Sequence, residues 1–239
     1  MSDQDDTTAG PGRITPAQHR AAKWVGAILV VAMATSMFAQ LYLLRGLETR
    51  SAEAMAASVA AMEGSYRAGT LIHLLTFATD AAMAAALYVV LTPVNRGLAL
   101  LGAFWRLVDC AILVLMTLMP FAIIRLLSGA DYLAGFTTAE TQGLARWLYG
   151  VQADGMKVGW TFLGLGSAVF AVLWLKSRYV PWVLPAWGVA ASLLMAMGAL
   201  VNLVRPGAIP MWGYMAPMFF YEVPLGLWLL LRRLREPST

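Results

Sequence analysis

Charge is scarce in this 239-residue chain: Asp, Glu, Lys and Arg make up 13% of it, about half the ~25% usual in soluble domains. Cysteine is nearly absent. Cys110 stands alone, which excludes an internal disulfide and any chemistry that needs a dithiol. Histidine is limited to His19 and His73, too few and too far apart for a His-rich iron site or paired haem ligation. No glycine-rich phosphate loop and no serine elbow is present. No metal, no cofactor and no nucleic-acid partner is therefore expected. What the chain has in excess is apolar surface, 60% of residues against ~45–50% in soluble domains, and that excess needs lipid to face. The lipid bilayer is the first expected partner.

The first fifteen residues hold Asp3, Asp5, Asp6, Thr7, Thr8 and several Gly and Pro, with almost no large apolar side chain. Such a segment buries too little to offset chain ordering and reads as a disordered tail. The organisation expected is a cytoplasmic tail over residues 1–20, a transmembrane domain over 21–234 and a short cytoplasmic tail over 235–239. A cleaved signal peptide is the rival reading, but the basic stretch Arg13, His19, Arg20, Lys23 is long and no small-x-small site follows the first apolar run.

Crossing ~30 Å of hydrocarbon takes about 20 mostly apolar residues. Six segments qualify: Trp24–Leu44, Gly69–Leu91, Gly97–Met119, Gln152–Trp174, Trp182–Val204 and Tyr214–Leu231. Backbone polar groups in lipid are satisfied only in helices or closed barrels, and runs this long are helical. The fold class is therefore all-α, a polytopic transmembrane bundle of six helices. The third run stays apolar to Leu127, which allows extension or tilt. Met55, Val59, Met62 and Tyr66 recur at four, three and four, which predicts a short outer helix lying on the membrane surface.

Basic residues set the orientation. With the amino terminus inside, nine fall on the inner side (Arg13, Arg20, Lys23, Arg96, Lys176, Arg178, Arg232, Arg233, Arg235) and five in outer loops (Arg45, Arg50, Arg67, Arg146, Arg205). The inner loops are short, and both termini are expected in the cytoplasm of a bacterium, with the bundle in its inner membrane. Trp147, Trp182, Trp187, Trp212 and Tyr214 fall near predicted helix ends, where amphipathic rings collect.

Charges within spanning helices cost about 2.5–3.5 kcal/mol each on insertion scales and are informative for that reason. Asp80, Arg106, Asp109 and Glu222 each fall near the middle of a predicted span. Arg106 and Asp109 are three apart and share a helix face, as do His73, Thr76 and Asp80. Asp154 and Lys157 repeat the three-residue spacing near the outer end of the fourth span. Pro217 and Pro224 flank Glu222, and each frees a carbonyl one turn back. Three acids against one arginine leave an imbalance, met by protonation, by a cation or ligand, or by Lys157. Asp80, Asp109 and Glu222 are the candidate acid–base groups; Arg106, His73, Asp154 and Lys157 are the candidate ligand-binding groups. His73 reads otherwise as an interfacial histidine, and the Gly164-x-Gly166 pair as a helix-packing notch.

The ordered series YRAGTLIHLL, ALYVVLTPVNRGLALLGAFWRLVDCAIL, LLSGADYLAGF, LKSRYVPWVL and YEVPLGLWLLLRR resembles the bacterial family called domain of unknown function 4386. The matching positions are Arg67, Leu87–Tyr88, Pro93–Val94–Asn95, Arg106, Ser177–Pro181, Glu222 and Leu227–Trp228–Leu229–Leu230. The resemblance runs from about Trp24 to Arg233 and implies fold and topology. The chain departs from the family pattern at Gln152–Asp154 and at Val183–Pro185.

Three functions fit these residues. The one taken forward is binding or movement of a small lipophilic or weakly acidic molecule, with Arg106 as counter-ion and the three acids exchanging protons. The same groups would serve a membrane-embedded acid–base enzyme of isomerase, cyclase or hydrolase type, with a neutral carboxyl as acid and an ionised one as base. The third is a structural or regulatory partner whose ion cluster only ties helices together. Transport by a single small chain is weakened by the lack of an inverted repeat between its halves, which a homodimer would supply.

Overall fold

A computed structural model describes residues 14–44 and 51–236. Its secondary structure among the described residues is helical throughout, with six helices or helix pairs long and apolar enough to cross a membrane. The basic loop residues Arg45 and Arg50, most of the acidic tail and the last three residues lie outside the described residues.

Local chemistry sets the helix ends. Helix α1 (Pro16–Phe38) starts with Pro16 in its first turn and a reciprocal capping box between Thr15 and Gln18. It therefore begins inside the segment read as tail, because the cap Thr-Pro-Ala-Gln was not weighed against the polar composition around it. At its far end α1 widens into a π-helical turn, Ala39–Leu43. The short α2 (Ala52–Ala61) is followed by α3 (Glu63–Leu91), which starts six residues earlier than the apolar run. Asn95 then caps α4 (Arg96–Met116) by accepting from the Leu98 N–H.

The third span is two helices, not one. Thr117 folds its hydroxyl onto the Val114 carbonyl, and Pro120 supplies no N–H to continue the ladder, so α5 (Leu118–Leu127) restarts after a break. Helix α6 (Thr138–Ser177) has 40 residues, about 60 Å at 1.5 Å per residue and twice the hydrocarbon thickness. It begins at a Thr137–Glu140 capping box and ends at Arg178, a non-glycine residue in the left-handed region (φ 55°), three residues before Pro181. Helices α7 (Val183–Val204) and α8 (Met211–Leu231) are joined by a loop that Asn202 holds through bonds to Ile209 N and O.

Helices α1, α3, α4, α6, α7 and α8 form a ring in chain order, with α8 closing back on α1. Small residues allow close approach. A Cβ on Gly26 would stand 2.7 Å from the Gly226 carbonyl oxygen, and one on Gly164 would stand 2.6 Å from that of Ser192. The glycine notch read from the sequence is thus a packing notch on α6, with Gly164 packed against α7 and Gly166 against α4. The ring's interior is filled by Val25, Leu29, Leu87, Phe170, Trp174, Met195 and Leu225, while Trp24, Leu75, Phe104 and Phe220 face outward. Lipid-facing apolar side chains are what a membrane bundle presents.

Two expectations change here. Helix α2 does carry Met55 and Val59 on one face, but that face is buried with Tyr66, Ile123, Ile124 and Ala145. The α5–α6 end of the bundle takes it up, because α5 and the early turns of α6 provide an apolar wall there. Tyr214, expected at an interface, is 2% exposed and packs against Trp160 and Gly198. Trp147, Trp182, Trp187 and Trp212 are exposed as expected.

Candidate functional site

Arg106 lies halfway along α4, and its side chain is 2% exposed. Room for it comes from Gly166 on α6, where a Cβ would stand 3.0 Å from the arginine Cγ. From that groove the guanidinium donates to Asp80 Oδ1 on α3 at 3.0 Å. Its other terminal nitrogen stands 3.6 Å from Asp109 Oδ2, one turn along α4, close enough for ion pairing and too long for a good hydrogen bond. The arginine Nε and Nη1 and both Asp109 oxygens have no hydrogen-bond partner among the described residues.

Glu222, midway along α8, joins this group without touching it. Among the described residues it forms no direct ion pair with Arg106. Both side chains line a cavity of about 30 Å³ with Ser167, Phe170, Trp174 and Tyr221. That is room for two or three waters, since a water takes roughly 10–15 Å³ on this measure. Sequence reasoning missed the aromatic wall. Its signal is present on α6, where Phe170 and Trp174 are four apart and follow Ser167 on the same face.

The other candidate ligand residues fall elsewhere. Asp154 and Lys157 pair with each other at 2.7 Å, with the aspartate side chain 62% exposed. They do not reach Arg106, and Lys157 does not balance the buried acids. They sit on a helix that starts at Thr138, two heptads before the expected start at Gln152. The freed-carbonyl idea also takes another form, since the Pro217 carbonyl accepts the Trp187 indole N–H on α7.

His73 belongs to a second, larger cavity of about 90 Å³ at the α2–α5 end of the bundle. Tyr66, Thr70, His73 and Phe77 enter it from α3, Tyr149, Gln152 and Met156 from α6, Gln40 from the π turn, and Thr117 from the α4–α5 break. The His73 ring packs at a tilt against that of Phe77, with centroids 5.5 Å apart. Among the described residues no three His, Cys, Asp or Glu side chains form a metal-holding group.

The sequence model of the family described as "Domain of unknown function (DUF4386)" matches residues 24–232, and the chain belongs to that family. No curated protein and no solved structure matches it.

Proposed function

We propose that this member of the DUF4386 family binds or moves a small lipophilic or weakly acidic molecule across or within the bacterial cytoplasmic membrane, with both termini inside. Arg106 is the counter-ion, and Asp80, Asp109 and Glu222 exchange protons as the ligand comes and goes. One observation carries this reading. A buried arginine with two nitrogens that make no hydrogen bond among the described residues lines a cavity together with a carboxylate that it does not bind.

A purely cohesive cluster would gain by closing those contacts, because each buried polar group left unpaired costs about 1–3 kcal/mol. An acidic headgroup at the arginine would supply the missing acceptors, and Glu222 would take or release the proton that keeps the charge sum constant. The present cavity admits water only, so the ligand enters by widening it. The α1–α8 seam suits that motion. Gly26 and Gly226 bring the two backbones together there, flanked by Leu29, Val30, Leu229 and Leu230, so no side chain stands at the crossing point itself.

The test uses the full chain in lipid nanodiscs. Glu222→Gln keeps the shape of the side chain and removes its exchangeable proton. The expected result is an unchanged melting temperature, loss of one pH-dependent carboxyl band in infrared difference spectra, and loss of any acidic lipophile that co-purifies with the wild type by mass spectrometry. A Gln variant with the same carboxyl titration and the same co-purifying molecules sinks the proposal and leaves a structural cluster.

A further inference from the structure

We propose that the cavity at the α2–α5 end of the bundle is a separate binding site for the hydroxyl end of an uncharged lipophilic alcohol. The site is assembled where two helices lose their regularity. α1 turns π-helical at Ala39–Leu43 and sends in Gln40, while α4 breaks into α5 at Thr117 and Pro120, both of which line the same space. Irregular turns of this kind concentrate at functional sites in helical proteins. The intact helices contribute whole faces: Tyr66, Thr70, His73 and Phe77 are spaced four, three and four on α3, and Tyr149, Gln152 and Met156 are spaced three and four on α6.

The lining selects the ligand by charge first. Among the described residues it contains no Asp, Glu, Lys or Arg. A carboxylate, phosphate or ammonium seated there would be desolvated with no opposite charge to meet it. A pure hydrocarbon is disfavoured as well, because Gln, Thr, Tyr and His make up more than half of the lining. The hydrogen bonds already made then set the sense of the missing one. Thr70 donates its hydroxyl to the Tyr66 carbonyl at 2.8 Å, and Thr117 donates to Val114 at 2.6 Å, so both present acceptor oxygens. The Gln152 side-chain oxygen is buried with no donor among the described residues. Acceptors gathered in this way call for an O–H, whose own oxygen can in turn take an N–H from Gln40 or Gln152.

Size agrees with a headgroup rather than a whole molecule. The cavity's 90 Å³ is smaller than the ~150 Å³ engineered cavity that encloses benzene. It fits a hydroxyl and its first few carbons, with the remaining chain left in lipid.

Octanol bearing a diazirine on its chain is the probe, photolysed with the full chain in nanodiscs and mapped by peptide mass spectrometry. Two analogues serve as comparisons, the same chain without the hydroxyl and the same chain ending in a carboxylate. The alcohol is expected to label cavity residues on α3 or α6, to be competed by plain octanol, and to exceed both analogues roughly fivefold, as one net hydrogen bond allows. Gln152→Leu should remove that excess. Equal labelling by the hydroxyl-free chain, stronger labelling by the carboxylate, or no labelling at these residues overturns the site. The wild-type comparison decides the matter even where Gln152→Leu does not fold. None of these outcomes depends on Glu222 or Arg106, so this site and the Arg106 site stand or fall separately.

Discussion

Two acid–base pairs in this chain have the same spacing and opposite surroundings. Arg106 and Asp109 are three residues apart on α4 and almost wholly enclosed, at 2% and 0% side-chain exposure. Asp154 and Lys157 are three apart on α6, and the aspartate is largely open. Distance alone would rank the second pair higher, at 2.7 Å against 3.6 Å. Burial reverses that ranking, because a charge already in water loses little when its partner goes, whereas an enclosed one is left without compensation.

The largest effect should come from breaking the enclosed pair. Arg106→Ala leaves Asp80 and Asp109 buried without their cation and is expected to cost about 3–5 kcal/mol, measured as loss of thermal stability and folded yield in detergent. Arg146→Ala is the comparison. Its guanidinium stands 5.3 Å from the Tyr149 ring centroid at the less enclosed end of α6, and its loss should cost no more than about 0.5–1 kcal/mol. Equal losses for the two variants would mean that Arg106 is solvated and that the contrast between the two regions is false.

A smaller effect probes the groove that makes enclosure possible. Gly166→Ala puts a methyl 3.2 Å from the Gly102 carbonyl oxygen as well as against Arg106, and the arginine stem must shift. Overpacking of this kind costs roughly 1–3 kcal/mol. Gly150→Ala on the same helix meets nothing within 4 Å and should be neutral or stabilising, since alanine gains up to about 1 kcal/mol over glycine in a helix. Melting curves of the two variants should therefore move in opposite directions.

The sequence exposes the enclosed region better than the open one, for a physical reason. Charges in the middle of apolar runs are too costly to be incidental, so Asp80, Arg106 and Asp109 identify themselves, and the structure brings them together. Glu222 is placed correctly on its helix, but its standing off from Arg106 depends on side-chain geometry that no spacing reveals. The errors collect where composition turns mixed. The stretch Thr138–Val151 is too polar to enter an apolar window, although Thr137-x-x-Glu140 marks a helix start beforehand. Missing that start leaves the expected fourth span two heptads shorter at its beginning than α6. The α4–α5 break hides in unbroken apolarity, with Pro120 as its one signal. Periodicity found the apolar face of α2, but periodicity is the same whether the face meets lipid or protein. The 90 Å³ cavity was invisible except for His73, because its other polar residues are uncharged and cost little wherever they sit.

The smallest expected effect is at the open pair itself. Asp154→Ala removes an ion pair between a 62% exposed carboxylate and a lysine on the same helix, and such pairs are worth about 0.2–1 kcal/mol. The aspartate has no other hydrogen bond among the described residues, so no further contact is lost with it. Lys157 keeps its length and can follow water once released, which lowers the cost again. Salt provides the sharper reading. Raising ionic strength shortens the Debye length from about 10 Å at 0.1 M to about 3 Å at 1 M, so the stability difference between wild type and Asp154→Ala should shrink toward zero. The difference between wild type and Arg106→Ala should persist under the same salt, since hydrated mobile ions do not enter a site with room for about two or three waters. A salt-insensitive loss at Asp154 as large as that at Arg106 would show that α6 carries its charges in an enclosed setting, and the contrast drawn from burial would fail.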